Sequence, residues 1–328
     1  MTAGRPTMAD VAAKVGVSRA LVSLVFRNER GPSEETRARV FQAAEELGYR
    51  PDSAAQLLAR SRSRVLGVLF TLRHLFHADL IEAIYPVAQE LGYTVLLSAT
   101  APGRDDLSAL EALLGHRAEG IILLGSSADP QLLAQAGTPG VVVGRRYRGL
   151  DAVHVAEASG ARQVVDYLVE LGHKEIVHID GGAGAGAAER LRAYRAAMRR
   201  HGLADHIRVL PGDQTEDSGS AAARRLLAEG LPTAVFASND RCAVGLMDAL
   251  RRADVDVPGE LSVAGFDDSP LAQLSHIDLT SVRQDPVRQA ELAVRALVDR
   301  LDGDAGDPRD LIVQPKLMVR GTTGKPRT

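Results

Sequence analysis

The sequence predicts an α/β fold: a small all-helical head, then two successive halves of doubly wound, mainly parallel sheet. Three observations predict it. In the first fifty residues, apolar positions recur at helical spacing three times, with no strand-like run between them. From Val65 onward, short apolar runs alternate with helical stretches, the pattern of parallel strands joined by helices. That rhythm restarts around residue 160, which splits the body into two similar lobes.

The head begins with Met8, Val11, Ala12 and Val15, one face of a first helix that Gly16 ends. Val17 fills the corner and Ser18 offers an N-cap oxygen to a second helix, whose apolar face is Leu21, Val22 and Val25. A helix, a Gly-containing turn and a second helix form the helix-turn-helix pattern that reads DNA. Ser33 caps a third helix with Glu34 and Glu35 in its first turn and Val40, Ala43, Ala44 and Leu47 as its stripe; Gly48 closes it. Pro51 breaks the chain, Asp52 can cap an Ala/Leu-rich segment over 53–60, and 61–64 read as a basic linker.

In the body, strands are expected at 65–70, 93–100, 120–126 and 140–145, with helices at 79–91, 105–115 and 132–136 between them. The second half predicts strands at 175–180, 207–210, 233–238 and 262–267 and helices at 159–171, 188–201, 217–229 and 241–253. A long helix over 286–301 and one last strand over 310–319 finish it. Ligands in such folds sit beyond the carboxyl ends of the strands, here between the lobes.

Composition sets the class. The 328 residues are 45% hydrophobic and 25% charged, an ordinary globular balance with room for two or three domains. No run approaches the roughly 18 apolar residues that cross a bilayer. The opening MTAGRPTMAD lacks the apolar core of a secretory signal, so a cytoplasmic location is expected. The single cysteine, Cys242, rules out an internal disulfide and a Cys-based metal cluster, and its apolar helical setting predicts burial. The net charge of -3 hides an asymmetry: residues 1–64 carry 11 Lys and Arg against 7 Asp and Glu, the rest 28 against 35. A basic head on an acidic body suits a small DNA-contacting module on a larger domain that does not touch DNA.

With ADVAAKVGVS, ETRARVFQAAEELGYRPD (35–52) and AAQLLA (54–59) in the head, the chain resembles a LacI/GalR-family transcriptional regulator. The body adds GYTVLL, AEGIIL, LGHKEIVHI, TAVFASND (233–240), SVAGFDD (262–268), LTSVRQD (279–285) and LMVRGTT (317–323), in the family's order and spacing. The resemblance implies a DNA-binding head over 1–51, a hinge helix and linker over 52–64, and a two-lobed periplasmic-binding-protein-like core over 65–328. The N-lobe would take about 65–160 plus 286–314, and the C-lobe about 161–285 plus 315–328.

It also implies roles. Family members bind near-palindromic double-stranded operator DNA as homodimers, with the second helix of each head in the major groove. Arg19 and Ala20 fall where base edges are read, and Arg19 could address guanine O6 and N7. Thr7, Ser18, Ser23 and Asn28 fall where phosphates are touched; helix capping is the alternative for the three hydroxyls. Leu21 and Leu24 depart from a usual Thr and a usual Arg or His, so the operator should differ from that of better-matching relatives. Leu58, with Ala55 one turn before it, takes the place of the family's minor-groove wedge.

For the effector, Phe76 and His77 occupy the strand-to-helix corner that carries a ring in relatives. Arg190, four residues before Tyr194, matches the family arginine that grips ligand oxygens, and Asn239 and Asp267 follow the ends of their strands. Such a set suits a sugar or sugar derivative. Turn capping is the alternative for Asp267, and an exposed surface position for His77. Ala156-Glu157 replaces the family's Asp-Asn, and Arg145-Arg146 near the cleft would also suit an acidic or phosphorylated effector or, equally, a solvated loop. Gly181–Ala187 could be read as a dinucleotide fingerprint, but Asp205 lies before the next strand instead of ending it, so no cofactor is expected.

Two function classes follow. The leading one is a ligand-controlled regulator, most often a repressor of carbohydrate-uptake or catabolic genes in this family. The alternative is a cytoplasmic solute-binding protein or enzyme without specific DNA binding; no nucleophile elbow, HExxH or Walker loop supports an enzyme. The tail RGTTGKPRT carries no heptads, so a dimer without a coiled coil is expected.

Overall fold

The computed structural model describes residues 6–26, 29–49, 62–72, 74, 76–125, 131–147 and 149–327. Asn28, Ala55 and Leu58, and the expected hinge helix around the last two, lie outside the described residues. The chain divides into two compact units, Met1–Ser63 and Arg64–Thr328.

The smaller unit holds α1 (Met8–Val15), α2 (Arg19–Phe26) and α3 (Glu34–Leu47). Val11, Ala12, Val15, Val22, Val25, Val40, Ala43 and Ala44 interlock as its core. Each helix end has a local cause. Thr7 and Asp10 form a reciprocal capping box on α1, and Gly16 closes that helix at φ 77°. Ser18 Oγ accepts the Leu21 N–H at 3.2 Å at the start of α2, and Ser33 accepts the Thr36 N–H at the start of α3. Phe26 packs edge-on against Phe41 and tilted against Tyr49, both at 5.6 Å. Arg39 reaches the Val15 carbonyl at 2.7 Å and ties α3 to the end of α1.

The larger unit has two six-stranded sheets. The first contains β1 (Val65–Thr71), β2 (Thr94–Thr100), β3 (Gly120–Leu124), β4 (Gly140–Val143), β5 (Asp151–Val155) and β11 (Asp310–Val313), in the order β11-β5-β4-β3-β1-β2. All of its pairs are parallel. The second contains β6 (Ile176–Ile179), β7 (Arg208–Leu210), β8 (Ala234–Ala237), β9 (Ser262–Asp267), β10 (Thr280–Arg283) and β12 (Lys316–Met318), ordered β12-β10-β9-β8-β6-β7. There only β10–β12 is antiparallel.

Around the first sheet lie α4 (Phe76–Glu90), α5 (Asp106–Gly115), α6 (Gln131–Gln135) and α11 (Pro286–Leu301). Around the second lie α7 (Glu157–Glu170), α8 (Ala187–Arg200), α9 (Glu216–Glu229) and α10 (Asp240–Arg251). The buried strands are Val/Ile/Leu/Ala-rich with no alternation, as expected when both faces are covered. Cys242 is buried within α10, where desolvation pushes its thiol up to about 11, so it packs as a small apolar group.

Three expectations need correction. The run 310–319 is two strands: Pro315 interrupts it, β11 joins the first sheet and β12 the second. The expected set of strands lacks β5 and β10, which are strands of the first and second sheet. The helix expected from residue 79 begins at Phe76, which brings Phe76 and His77 into its first turn.

The order within each sheet explains the cleft. In both, the first strand of the lobe sits inside, with the second on one side and the third on the other. The connections after the first and third strands therefore leave in opposite directions and open a crevice at their carboxyl ends. The chain passes between lobes at β5 to α7, β10 to α11 and β11 to β12, and the two crevices share one cleft.

Candidate functional site

The connection after β1 and the first turn of α4 bring His74, Phe76, His77 and Leu80 to the cleft; Gly125 and Val143-Gly144 follow from the ends of β3 and β4. Across from them stand Glu157, Ala185, Arg190, Gln214, Asp267 and Gln284, with Gln289 from α11. These residues enclose a small inner chamber of about 30 Å³.

Arg190 is its centre. The side chain is 3% exposed, and its charge is held by partners on three sides. Nε donates to Glu157 Oε2 at 2.7 Å, and Nη1 donates to the Ser238 carbonyl at 2.6 Å. The guanidinium carbon lies 3.7 Å from the centre of the Phe266 ring. Nη2 faces Asp267 Oδ1 at 3.9 Å, too long for a direct hydrogen bond. Asp267 Oδ1 accepts from Gln284 Nε2 at 2.6 Å, and Gln289 Nε2 donates to the Gln284 carbonyl at 2.8 Å. Burial drives the Asp267 carboxyl above the usual carboxylate range, against the pull of Arg190. Its backbone sits at φ 118°, a conformation unusual outside glycine.

The opposite wall is neutral. His77 Nδ1 accepts the Thr71 N–H at 3.2 Å, and its ring stacks on His74 at 4.3 Å. Burial lowers His77 to about 3 and His74 to about 4, so both are uncharged at neutral pH. His77 is buried, not an exposed surface residue.

Two further chambers adjoin. One of about 170 Å³ is lined by Thr71, Asp213, Thr215, Asn239, Asp240, Ser269 and Arg241, which is paired with Glu216, and shares His74, Phe76, Gln214 and Asp267 with the first. Asn239 caps α10 through the Cys242 N–H at 3.0 Å and donates to the Gln214 carbonyl at 3.2 Å. The other, about 700 Å³, has Arg145, Arg146 and His154 on one wall and the Gly182–Gly186 loop on the other. Phe76, His77, Arg190 and Asp267 thus meet at the inner chamber; Asn239 and Arg145 stand on its two neighbours.

The glycine-rich stretch has a packing cause. A side chain at Gly184 would overlap the Gln214 carboxamide, which lies against this loop and donates to the Ala185 carbonyl. At Gly186, φ is 74° and an added Cβ would lie 2.6 Å from the Glu157 carboxyl carbon. Asp205 falls in a 3-10 turn before β7, away from the position a ribose-binding acid needs.

Glu157, Gln214, Gln284 and Gln289 were not among the expected site residues. Gln289 had a signal: it lies on the buried stripe of α11 beside Ala290, Ala293, Val294 and Leu297, where a polar side chain needs a partner. Glu157 had one too, as the charge replacing an expected amide.

In the smaller unit, Thr7, Ser18, Arg19 and Ala20 are exposed, and Ser23 and Leu24 are half-buried. The amino end of α2 therefore presents Ser18, Arg19 and Ala20 to solvent, while Val22 and Val25 hold the helix to the core. The Thr7 hydroxyl is engaged with Asp10 and the Ser18 hydroxyl with α2, so both cap helices.

Residues 7–52 match the family described as bacterial regulatory proteins, lacI family, and 165–323 match a periplasmic binding protein-like domain. The chain is 33% identical to the HTH-type transcriptional regulator CelR of Thermobifida fusca, over 96% of this chain and 98% of that one. It is 33% identical to the ribose operon repressor of Escherichia coli (strain K12), over 96% and 99%. Among solved structures, a CelR–cellobiose complex superposes with a TM-score of 0.71 at 31% identity, covering 97% of this chain and 100% of that one. A lac repressor dimer bound to operator and the anti-inducer ONPF gives 0.82 at 28%, covering 98% and 100%.

Proposed function

Because the chain belongs to the lacI family of bacterial regulatory proteins and is a DNA-binding transcriptional regulator, not an enzyme, we propose that a sugar in the cleft of its larger unit sets the affinity of its head for operator DNA. The observation that carries the sugar reading is the 3.9 Å gap between Arg190 Nη2 and Asp267 Oδ1. A hydroxyl placed there accepts from the guanidinium and pairs with the Asp267 carboxyl as donor or acceptor, satisfying both buried groups at once. Phe76 and the neutral His77 offer the ring's apolar face a platform. A cellobiose complex and a ribose operon repressor among the similar proteins agree with this chemistry.

On the DNA side, Arg19 and Ala20 are the proposed base-reading positions, with Thr7, Ser18 and Ser23 setting register on phosphates. A homodimer on a near-palindromic operator, acting as a repressor in the cytoplasm, completes the reading; a lac repressor dimer on operator DNA is among the similar structures. Effector and DNA then alter each other's affinity by one coupling factor, typically about 5–150-fold.

Fluorescence anisotropy of the full chain on its own promoter fragment tests this. Affinity should fall steeply as salt rises, through counterion release, and should exceed that for bulk DNA. A chain that never prefers its own promoter over bulk DNA contradicts the proposal.

A further inference from the structure

Arginine recognises a carboxylate or phosphate by presenting two parallel N–H groups along one edge of its fork. Arg190 has neither edge available. The edge formed by Nε and Nη2 has lost Nε to Glu157 at 2.7 Å, and the edge formed by Nη1 and Nη2 has lost Nη1 to the Ser238 carbonyl at 2.6 Å. Nη2 is left, and opposite it at 3.9 Å stands the Asp267 carboxyl, so the fork offers an anion one N–H group and not a parallel pair. The charge count points the same way. Among the described residues lining the inner chamber, the single guanidinium, Arg190, is already bonded to the Glu157 carboxylate, with the buried Asp267 carboxyl beside it. Arg145 and Arg146 line only the outer chamber, where Asp310 holds Arg146 at 2.7 Å.

Glu157 is what closes the fork. It stands in the first turn of α7, its carboxylate fits the space that a side chain at Gly186 would fill, and it is 12% exposed. We propose that Glu157 is a specificity-determining residue that makes the pocket select uncharged, hydroxyl-rich effectors and reject carboxylated or phosphorylated ones. This rests on the sugar site proposed above and narrows it to neutral sugars.

Isothermal titration of the full chain tests it with inorganic phosphate and with two matched pairs, glucose with glucose 6-phosphate and ribose with ribose 5-phosphate. Wild type should show no phosphate binding. Glu157→Gln, which keeps the shape and removes the charge, should bind phosphate and shift preference toward a phosphorylated sugar by at least tenfold. Glu157→Asp, which keeps the charge, should still exclude phosphate, an outcome that shape alone would not produce. Phosphate binding to wild type, or its continued exclusion by folded Glu157→Gln, overturns the proposal; if that variant does not fold, Glu157→Ala in its place should bind phosphate, and its continued exclusion overturns the proposal equally. If Glu157→Gln gains phosphate while no neutral sugar binds any form, the charge filter stands and the sugar reading falls.

Discussion

The two walls of the inner chamber come from lobes with the same strand order, yet they are built from opposite chemistry. The first-sheet wall is apolar or neutral: Phe76, Leu80, Val143 and two stacked histidines. The second-sheet wall concentrates ionisable groups: Glu157, Arg190 and Asp267. A shared topology explains where the cleft lies but not what it holds. Each lobe meets the cost of its own contribution, hydrophobic packing on one side and a matched ion network on the other. A ligand with both an apolar ring face and hydroxyl edges is the one that uses both walls.

The largest predicted effect breaks the charged wall. Arg190→Ala leaves the Glu157 carboxylate buried without its cation, which should cost about 3–5 kcal/mol of folding stability. Urea unfolding reads this directly, and a loss below about 1 kcal/mol would show that the network is not held as described.

Acid should act on the two walls in opposite directions. The folded-state values of His77 and His74 lie near 3 and 4, below the 6.5 of an unperturbed histidine. As pH falls below 6.5 the unfolded chain takes up protons that these rings refuse, so stability is lost from about pH 6.5 down to about 4 for His74 and about 3 for His77. His77 alone should contribute roughly 2 kcal/mol of that loss by pH 5. Asp267 is raised by burial, so its contribution is complete at low pH and is lost as pH rises through its folded value. Unfolding across pH should therefore flatten on the acid side in His77→Asn and on the alkaline side in Asp267→Asn. Identical profiles for both variants would remove the contrast.

A smaller effect concerns the seat of Glu157. Gly186→Ala strains a residue at φ 74° and crowds that carboxylate, for an expected loss of about 1–2 kcal/mol in thermal or chemical unfolding. The smallest lies in the head. Arg19→Ala removes an exposed side chain, so stability should change by less than about 0.5 kcal/mol. Discrimination at one base pair of the operator should weaken by about 1–3 kcal/mol, measured by anisotropy on single-substitution duplexes.

Much of this was legible where one local rule decides the outcome. Gly16, Ser18, Ser33 and Gly48 mark the helix ends of the head, because capping depends on a few neighbouring atoms. The long buried strands were legible from their apolar runs. β10 was not, since Thr280, Ser281 and Arg283 leave a four-residue strand with one apolar member, buried by partners distant in sequence. The division at Pro315 needed knowledge of which sheet each half would meet. In the site, single residues with a family counterpart could be named, but the Arg190–Glu157 pair could not. Its members lie 33 positions apart, and nothing local states that one will neutralise the other.

Effector binding in the cleft and operator binding by the head are proposed to share one coupling free energy. The measurement that tests it most directly is operator affinity of the full chain with and without a saturating neutral sugar, starting from cellobiose and ribose, paired with the affinity for that sugar with and without operator. Both ratios should differ from one by the same factor, within about 5–150-fold. A sugar that binds the cleft tightly and leaves operator affinity unchanged would contradict it.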